Sequence, residues 1–207
     1  MTQTTRPLDD LIDLFRDSKV MPVVTAESAD SAVETARALM AGGVMAIEIT
    51  LRNDAAYDAI KAVKKHVPEI ALGAGTVLHE NHVEFCREEG VDFMVSPGTT
   101  DALFAAVAEH NQILIPGVAT ASEALRALEA GCQLQKLFPA EAVGGAKLLK
   151  SWSSPLPDIT FIPTGGVSEG DAKSYLDLPN VLCVGGSWVV KGSPDDITRQ
   201  AKAARGL

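Results

Sequence analysis

Eight short apolar runs, each followed by a stretch of helical period, most constrain how this chain can fold. The runs are Val20–Thr25, Met45–Thr50, Leu72–Val77, Phe93–Ser96, Ile113–Gly117, Gln133–Phe138, Thr160–Thr164 and Val181–Gly185. Most are continuously apolar rather than alternating, as in strands of a parallel sheet buried on both faces by helices. Between them, Ser28–Met40 sets Ala32, Val33, Ala36 and Leu39 on one helical stripe. Ser122–Ala130 does the same with Ala124, Leu125 and Leu128. Gly42, Gly90 and Gly131 follow predicted helices as stop signals. Leu8–Asp17 reads as an additional amphipathic helix before the first strand.

Eight strand–helix units in 207 residues predict a (β/α)8 TIM barrel with an extra N-terminal helix, as one domain over residues 1–207. A doubly wound open sheet is the alternative. Two features favour the barrel. No GxGxxG follows the first strand, and the chemically active residue types gather at the C-terminal ends of many strands.

Composition narrows the function. A net charge of −9 excludes a broad nucleic-acid surface but allows a local anion pocket. Cys86, Cys132 and Cys183 are odd in number and widely spaced, which predicts neither a disulfide framework nor a zinc site. No apolar stretch approaches the ~20 residues of a membrane helix. Met1–Asp10 lacks the basic and apolar regions of a secretory signal, so the expected location is the cytoplasm.

Lys136 is the most informative residue, because it lies within the strand-like run Gln133-Leu-Gln-Lys-Leu-Phe-Pro139. A charged amine there must point into the barrel or against the helices, and both are costly. One reading is a paired or snorkelling lysine. The other is an amine nucleophile. A lysine in water has a pKa of ~10.4, and desolvation favours the neutral amine that attacks ketones. The iminium so formed is an electron sink for breaking a neighbouring carbon–carbon bond.

Glu48, Thr50 and Arg52 are spaced by two, so in an extended strand they share a face while Ile47 and Ile49 take the other. Glu48 is the candidate general acid and base, and Arg52 the candidate carboxylate clamp. An internal Glu48–Arg52 ion pair is the structural alternative. The glycine pairs in Pro163-Thr-Gly-Gly-Val167 and Val184-Gly-Gly-Ser-Trp188 follow the last two strands, where barrels often bind phosphate. Either pair can also be a simple turn. Thr76 ends the third strand, Ser96-Pro97-Gly98 the fourth and Pro116-Gly117 the fifth. Phe138-Pro139 would wall the lysine. His79 and His82 have metal-like helical spacing but no apparent third ligand, and His66 and His110 read as solvated helix ends. Trp152 reads as packing, and the acid-rich Glu80–Glu89 as a solvated helix face.

In order along the chain, Glu48-Ile-Thr-x-Arg52, Gly73-Ala-Gly-Thr-Val77, Ser96-Pro-Gly98, Pro116-Gly117, Lys136-Leu-Phe-Pro-Ala140, Pro163-Thr-Gly-Gly-Val167 and Gly185-Gly-Ser-Trp188 resemble the 2-keto-3-deoxy-6-phosphogluconate aldolase family, which includes 4-hydroxy-2-oxoglutarate aldolases. The resemblance implies a homotrimer of barrels doing class I lyase chemistry with no metal or other cofactor, within Entner–Doudoroff carbohydrate metabolism. Its substrates would be small keto acids and phosphosugars. It implies Lys136 as the Schiff-base residue and Glu48 as the proton shuttle. Arg52, Thr76 and Pro97 would surround the pyruvate half, with Thr50, Phe138 and Thr164 lining the pocket. Gly165, Gly166, Gly186 and Ser187 would bind phosphate. Ala121 departs from the family, which often has proline there. The same chemistry on 4-hydroxy-2-oxoglutarate or a galactonate epimer, a metal-dependent aldolase, and a phosphosugar-binding barrel without turnover remain open alternatives.

Overall fold

The computed structural model describes residues 6–207, so the first five residues of the polar N-terminal stretch lie outside the described residues. All eight apolar runs form staves of one closed parallel barrel. The strands are β1 (Val20–Val24), β2 (Ala46–Thr50), β3 (Ala71–Gly75), β4 (Phe93–Val95), β5 (Leu114–Ile115), β6 (Gly117–Val118), β7 (Leu134–Leu137), β8 (Thr160–Pro163) and β9 (Val184–Gly186). One ladder runs β5-β4-β3-β2-β1-β9 and another β6-β7-β8. Parallel bridges Phe161–Val181 and Thr164–Gly185 close the ring between the last two staves.

The helices are α1 (Leu8–Ser18), α2 (Ala29–Ala41), α3 (Ala55–His66), α4 (Glu80–Glu88), α5 (Asp101–Glu109), α6 (Ala121–Glu129), α7 (Gly145–Trp152), α8 (Glu169–Leu176) and α9 (Pro194–Ala204). One follows each stave, and α1 precedes the first. Trp152 packs its indole against Phe161 at 5.5 Å between centroids. Among the described residues, no helix is long and apolar enough to cross a membrane.

Three local differences from the expected pattern have identifiable causes. The fifth run divides at Pro116, which has no N–H to give to a ladder. Its first half pairs with β4 and its second with β7. The third run stops at Gly75, because Thr76 turns to φ 59°. After α2, Gly42 stays right-handed and Gly43 makes the left-handed turn. At α6, where proline is absent, Thr120 and Glu123 form a reciprocal capping box. Side-chain capping of this kind satisfies helix-end donors, so Ala121 begins the helix without proline's fixed φ.

Alternate residues of each stave feed two different cores. Ile47, Ile49, Leu72, Ala74 and Met94 pack outward beneath the helices. Met21, Ala46, Ala71, Phe93, Val95, Leu134 and Ile162 pack with Leu11 and Phe15 of α1. Helix α1 therefore stoppers the N-terminal end of the barrel. Its Phe15 is fully buried and meets Phe93 edge-to-face at 5.2 Å. Phe15→Ala is expected to destabilise the fold by about 3–5 kcal/mol, the usual cost of a large cavity. Because the plug lies at the end opposite the strand C-termini, the C-terminal rim of the remaining folded protein should be unchanged. Denaturant midpoints of the wild type and the variant, measured side by side, check the loss.

Candidate active site

The centre of the site is built by two short staves on facing sides of the ring. In β2, alternation sends Ala46, Glu48 and Thr50 inward, and all three are buried. In β7, Lys136 pairs in register with Gly117 on one side and Ile162 on the other. Its backbone N–H donates to the Pro116 carbonyl at 2.9 Å. Although 88 residues separate them in sequence, Lys136 Nζ lies 3.2 Å from Glu48 Oε1. Their side chains are 4% and 0% exposed, so the pair sits inside the barrel and away from bulk water. Glu48 thus pairs with Lys136 and not with Arg52.

Gly75 gives the carboxylate its room. A Cβ there would fall 2.1 Å from Glu48 Oε1. The Phe138 ring sits beneath the amine, with Nζ 5.3 Å from its centroid. The second carboxylate oxygen, Oε2, is buried and makes no hydrogen bond within the protein. Leaving such an oxygen unpaired costs about 1–3 kcal/mol or more. Groups of this kind recur where a substrate or a transferring proton completes the arrangement.

Arg52 reaches the site differently from the expected extended alignment. β2 ends at Thr50, and the Arg52 N–H folds back to the Thr50 carbonyl at 2.8 Å. The shared-face rule therefore holds for Glu48 and Thr50, while Arg52 arrives on a turn. Its exposed guanidinium donates from Nε to Thr76 Oγ1 at 3.1 Å. Thr76 is held at φ 59°, a conformation that costs a β-branched residue about 1–3 kcal/mol. The Thr50 hydroxyl donates to the Val24 carbonyl at 3.0 Å and lies 3.2 Å from Thr25 Oγ1. Thr25, at the end of the first stave, is the exposed hydroxyl of that pair and was not singled out from the sequence.

The remaining predicted residues line the same C-terminal rim. Pro97 is half-buried after β4, and its backbone approaches Gly117 so closely that a Cβ there would lie 2.4 Å away. Ser96 Oγ accepts from the Gly117 N–H at 3.2 Å and meets Thr99 Oγ1 at 2.8 Å. Thr164 is buried, and its bridge to Gly185 sets the loops after the last two staves side by side. Gly165 and Gly166 adopt φ of 99° and 85°, which side-chain-bearing residues rarely accept. Gly186 ends β9, followed by the exposed Ser187. Ser187 and Thr25 also line a cavity of about 430 Å³ with Ser31, Thr35 and Lys191.

Two anchors of this rim were not read from the sequence. The Tyr175 hydroxyl donates to Glu141, and Glu141 packs against Gly166. Burial, then the hydrogen bond and charge of Glu141, push the phenol pKa upward, so it stays a donor. The second anchor is His82, which had been weighed only as a metal ligand. Its Nδ1 instead accepts the Leu78 N–H at 3.2 Å. Among the described residues, no group of three His, Cys, Asp or Glu is placed to hold a metal ion. The cysteines are poor nucleophiles. Burial raises Cys132 and Cys183 and pushes Cys86 up to about 12.

A buried amine beside a buried carboxylate can form an imine and move the protons that step requires. Residues 11–202 match the profile described as "Aldolase: KDPG and KHG aldolase". The chain belongs to that family. The KHG/KDPG aldolase of Escherichia coli K12 is 44% identical over 191 residues, 89% of this chain and 90% of that protein. The 2-keto-3-deoxy-6-phosphogluconate aldolase of Zymomonas mobilis ZM4, crystallised with 3-phosphoglycerate, superposes with a TM-score of 0.90 at 41% identity over 96% of each chain. The KDPG aldolase of Legionella pneumophila, with pyruvate captured at low pH as a covalent carbinolamine intermediate, gives 0.89 at 37% identity over 93% of this chain and 97% of that one.

Proposed function

We propose that this protein is a class I aldolase that reversibly cleaves 2-dehydro-3-deoxy-6-phosphogluconate to pyruvate and glyceraldehyde 3-phosphate. The observation that carries the reading is the Lys136 amine, shielded from water and 3.2 Å from the Glu48 carboxylate. Family membership and the pyruvate carbinolamine of the Legionella pneumophila relative support it. Lys136 attacks the C2 ketone to give a carbinolamine, which loses water to form an iminium. Glu48 then takes the C4 hydroxyl proton. The C3–C4 bond breaks, the aldehyde leaves, and the bonding electrons move into the iminium to give an enamine. Protonation at C3 and hydrolysis release pyruvate and restore the amine.

In this reading Arg52 and Thr76 bind the substrate carboxylate, with Pro97 beside them. Fixing that end converts binding energy into orientation at C2. Thr50, Phe138 and Thr164 shape the pocket. Gly165, Gly166, Gly186 and Ser187 cup the phosphate through backbone N–H groups and one hydroxyl. The chain acts as one barrel domain over residues 1–207, works in the cytoplasm without metal or cofactor, and assembles as a homotrimer. The family likeness supports the trimer, and three free cysteines suit a reducing compartment. The family also embraces enzymes named for KHG. A shorter, unphosphorylated keto acid is therefore the second substrate to compare.

Cleavage is tested by pyruvate release from phosphorylated and unphosphorylated substrates, with and without chelator. The reading predicts turnover that chelator leaves unchanged and a higher kcat/KM for the phosphorylated acid. No pyruvate release from either substrate would refute it. Ser187→Glu brings a negative charge to the anion cup. It is expected to raise KM for the phosphorylated substrate by roughly 10–100-fold, as expected for losing a charge-assisted hydrogen bond. For the unphosphorylated acid, KM should stay within about twofold. Equal changes on both would place the phosphate elsewhere.

A further inference from the structure

The turn after the third stave is held by a residue that the chemistry above does not use. Thr76 opens this turn in a left-handed conformation, and its Oγ1 accepts from Arg52 Nε. Such a conformation persists in a β-branched residue only where neighbours fix it. The N-cap of the following helix does not supply the restraint, since His79 makes no side-chain capping bond. His82, three positions on, reaches back instead. It is buried, and its Nδ1 accepts the Leu78 N–H at 3.2 Å, two residues after Thr76. In α6 the corresponding third position is Glu123, which accepts the Ala119 and Thr120 N–H groups in the same way.

The ring is itself fixed. His79 stacks on it at 3.8 Å between centroids, and Tyr57 from α3 meets it edge-on at 6.5 Å. Burial, then the charge of His79, lower the His82 pKa, which favours the neutral imidazole that an accepting Nδ1 requires.

We propose that His82 is a positioning residue that clasps the turn from Thr76 to Leu78 and, through Thr76, fixes Arg52 where the keto-acid carboxylate binds. This rests on the keto-acid reading of the site. His82 touches no reacting atom. Its effect is on how tightly the pyruvate half is held and not on the bond-breaking step.

The test is borohydride trapping of pyruvate on the full-length protein, measured across pyruvate concentrations. His82→Ala and His82→Leu should raise the half-saturating pyruvate concentration roughly tenfold, the size of one lost hydrogen bond. The trapping rate at saturation should change far less. His82→Gln offers a carboxamide with both an acceptor and donors, and should stay within about twofold of wild type. In an Arg52→Ala background, His82→Ala should add less than about twofold, because the clasp then has no guanidinium to position. Unchanged half-saturation in folded His82→Ala or His82→Leu would overturn the proposal, as would equal losses in the glutamine variant. Should the apolar variants fail to fold, amide exchange in the wild type decides. Saturating pyruvate must slow exchange across residues 76–78, and unaltered exchange there refutes the clasp. A wild-type protein that traps no pyruvate would end the active-site reading itself. Trapping in the wild type with an indifferent His82 would end only this inference.

Discussion

Lys136→Ala is expected to lower kcat by at least about 10⁴-fold, equivalent to roughly 5.5 kcal/mol of transition-state stabilisation. The loss is this large because the amine supplies the covalent electron sink, and no neighbouring group can replace it. The variant also leaves Glu48 fully buried without its partner. Removing one member of a buried pair typically costs about 3–5 kcal/mol. The variant should therefore fold with a lowered Tm. Lys136→Met fills the vacated space and should be more stable while equally inactive. Circular dichroism and thermal melting report the fold, and pyruvate release reports turnover. A folded Lys136→Met protein with near-normal kcat would exclude covalent catalysis at this position.

Glu48→Gln should produce the second largest loss, about 10²–10⁴-fold in kcat, the usual worth of a positioned acid–base group. The amide keeps the size of the side chain beside Gly75, so the barrel should close normally around it. It cannot take the C4 hydroxyl proton. Lys136 remains, so pyruvate should still be trapped by borohydride, although more slowly. The two variants therefore separate the roles. Loss of the lysine abolishes the adduct, whereas loss of the carboxylate slows its formation and the cleavage that follows. A Glu48→Gln enzyme with wild-type kcat would reduce the carboxylate to a structural counter-ion.

Much of this geometry was legible in the chain because a parallel barrel leaves a strong local signature. Strands buried on both faces must be apolar throughout, so a lysine in β7 and a glutamate in β2 stand out against their neighbours. Glu48 and Thr50 were assigned to one face by alternation alone, and both are buried on the inside. Their distance from Lys136 was not legible, since a sequence separation of 88 is brought round by ring closure. The split of the fifth stave was half visible in Pro116. Which neighbour each half pairs with depends on the stagger of the whole barrel.

Thr76 shows where local preference misleads. A β-branched residue after Gly73-Ala-Gly reads as extended, yet its side-chain bond with Arg52 and the clasp by His82 hold it left-handed. His82 drew notice only for its metal-like spacing with His79, which lacked a third ligand, because spacing alone cannot show an imidazole turned back on its own helix start. The Glu141–Tyr175 contact joins two elements far apart in sequence, and neither residue has a pattern of its own. Thr25 was visible as the last residue of the first run. It became informative only once Thr50 lay 3.2 Å away.

Borohydride reduction in the presence of pyruvate, followed by proteolysis and mass mapping of the modified peptide, tests the central claim most directly. The account predicts one reduced pyruvate adduct, on the peptide carrying Lys136, with the other lysines unmodified. An adduct on a different lysine, or none in protein that is folded and turning over substrate, would contradict it.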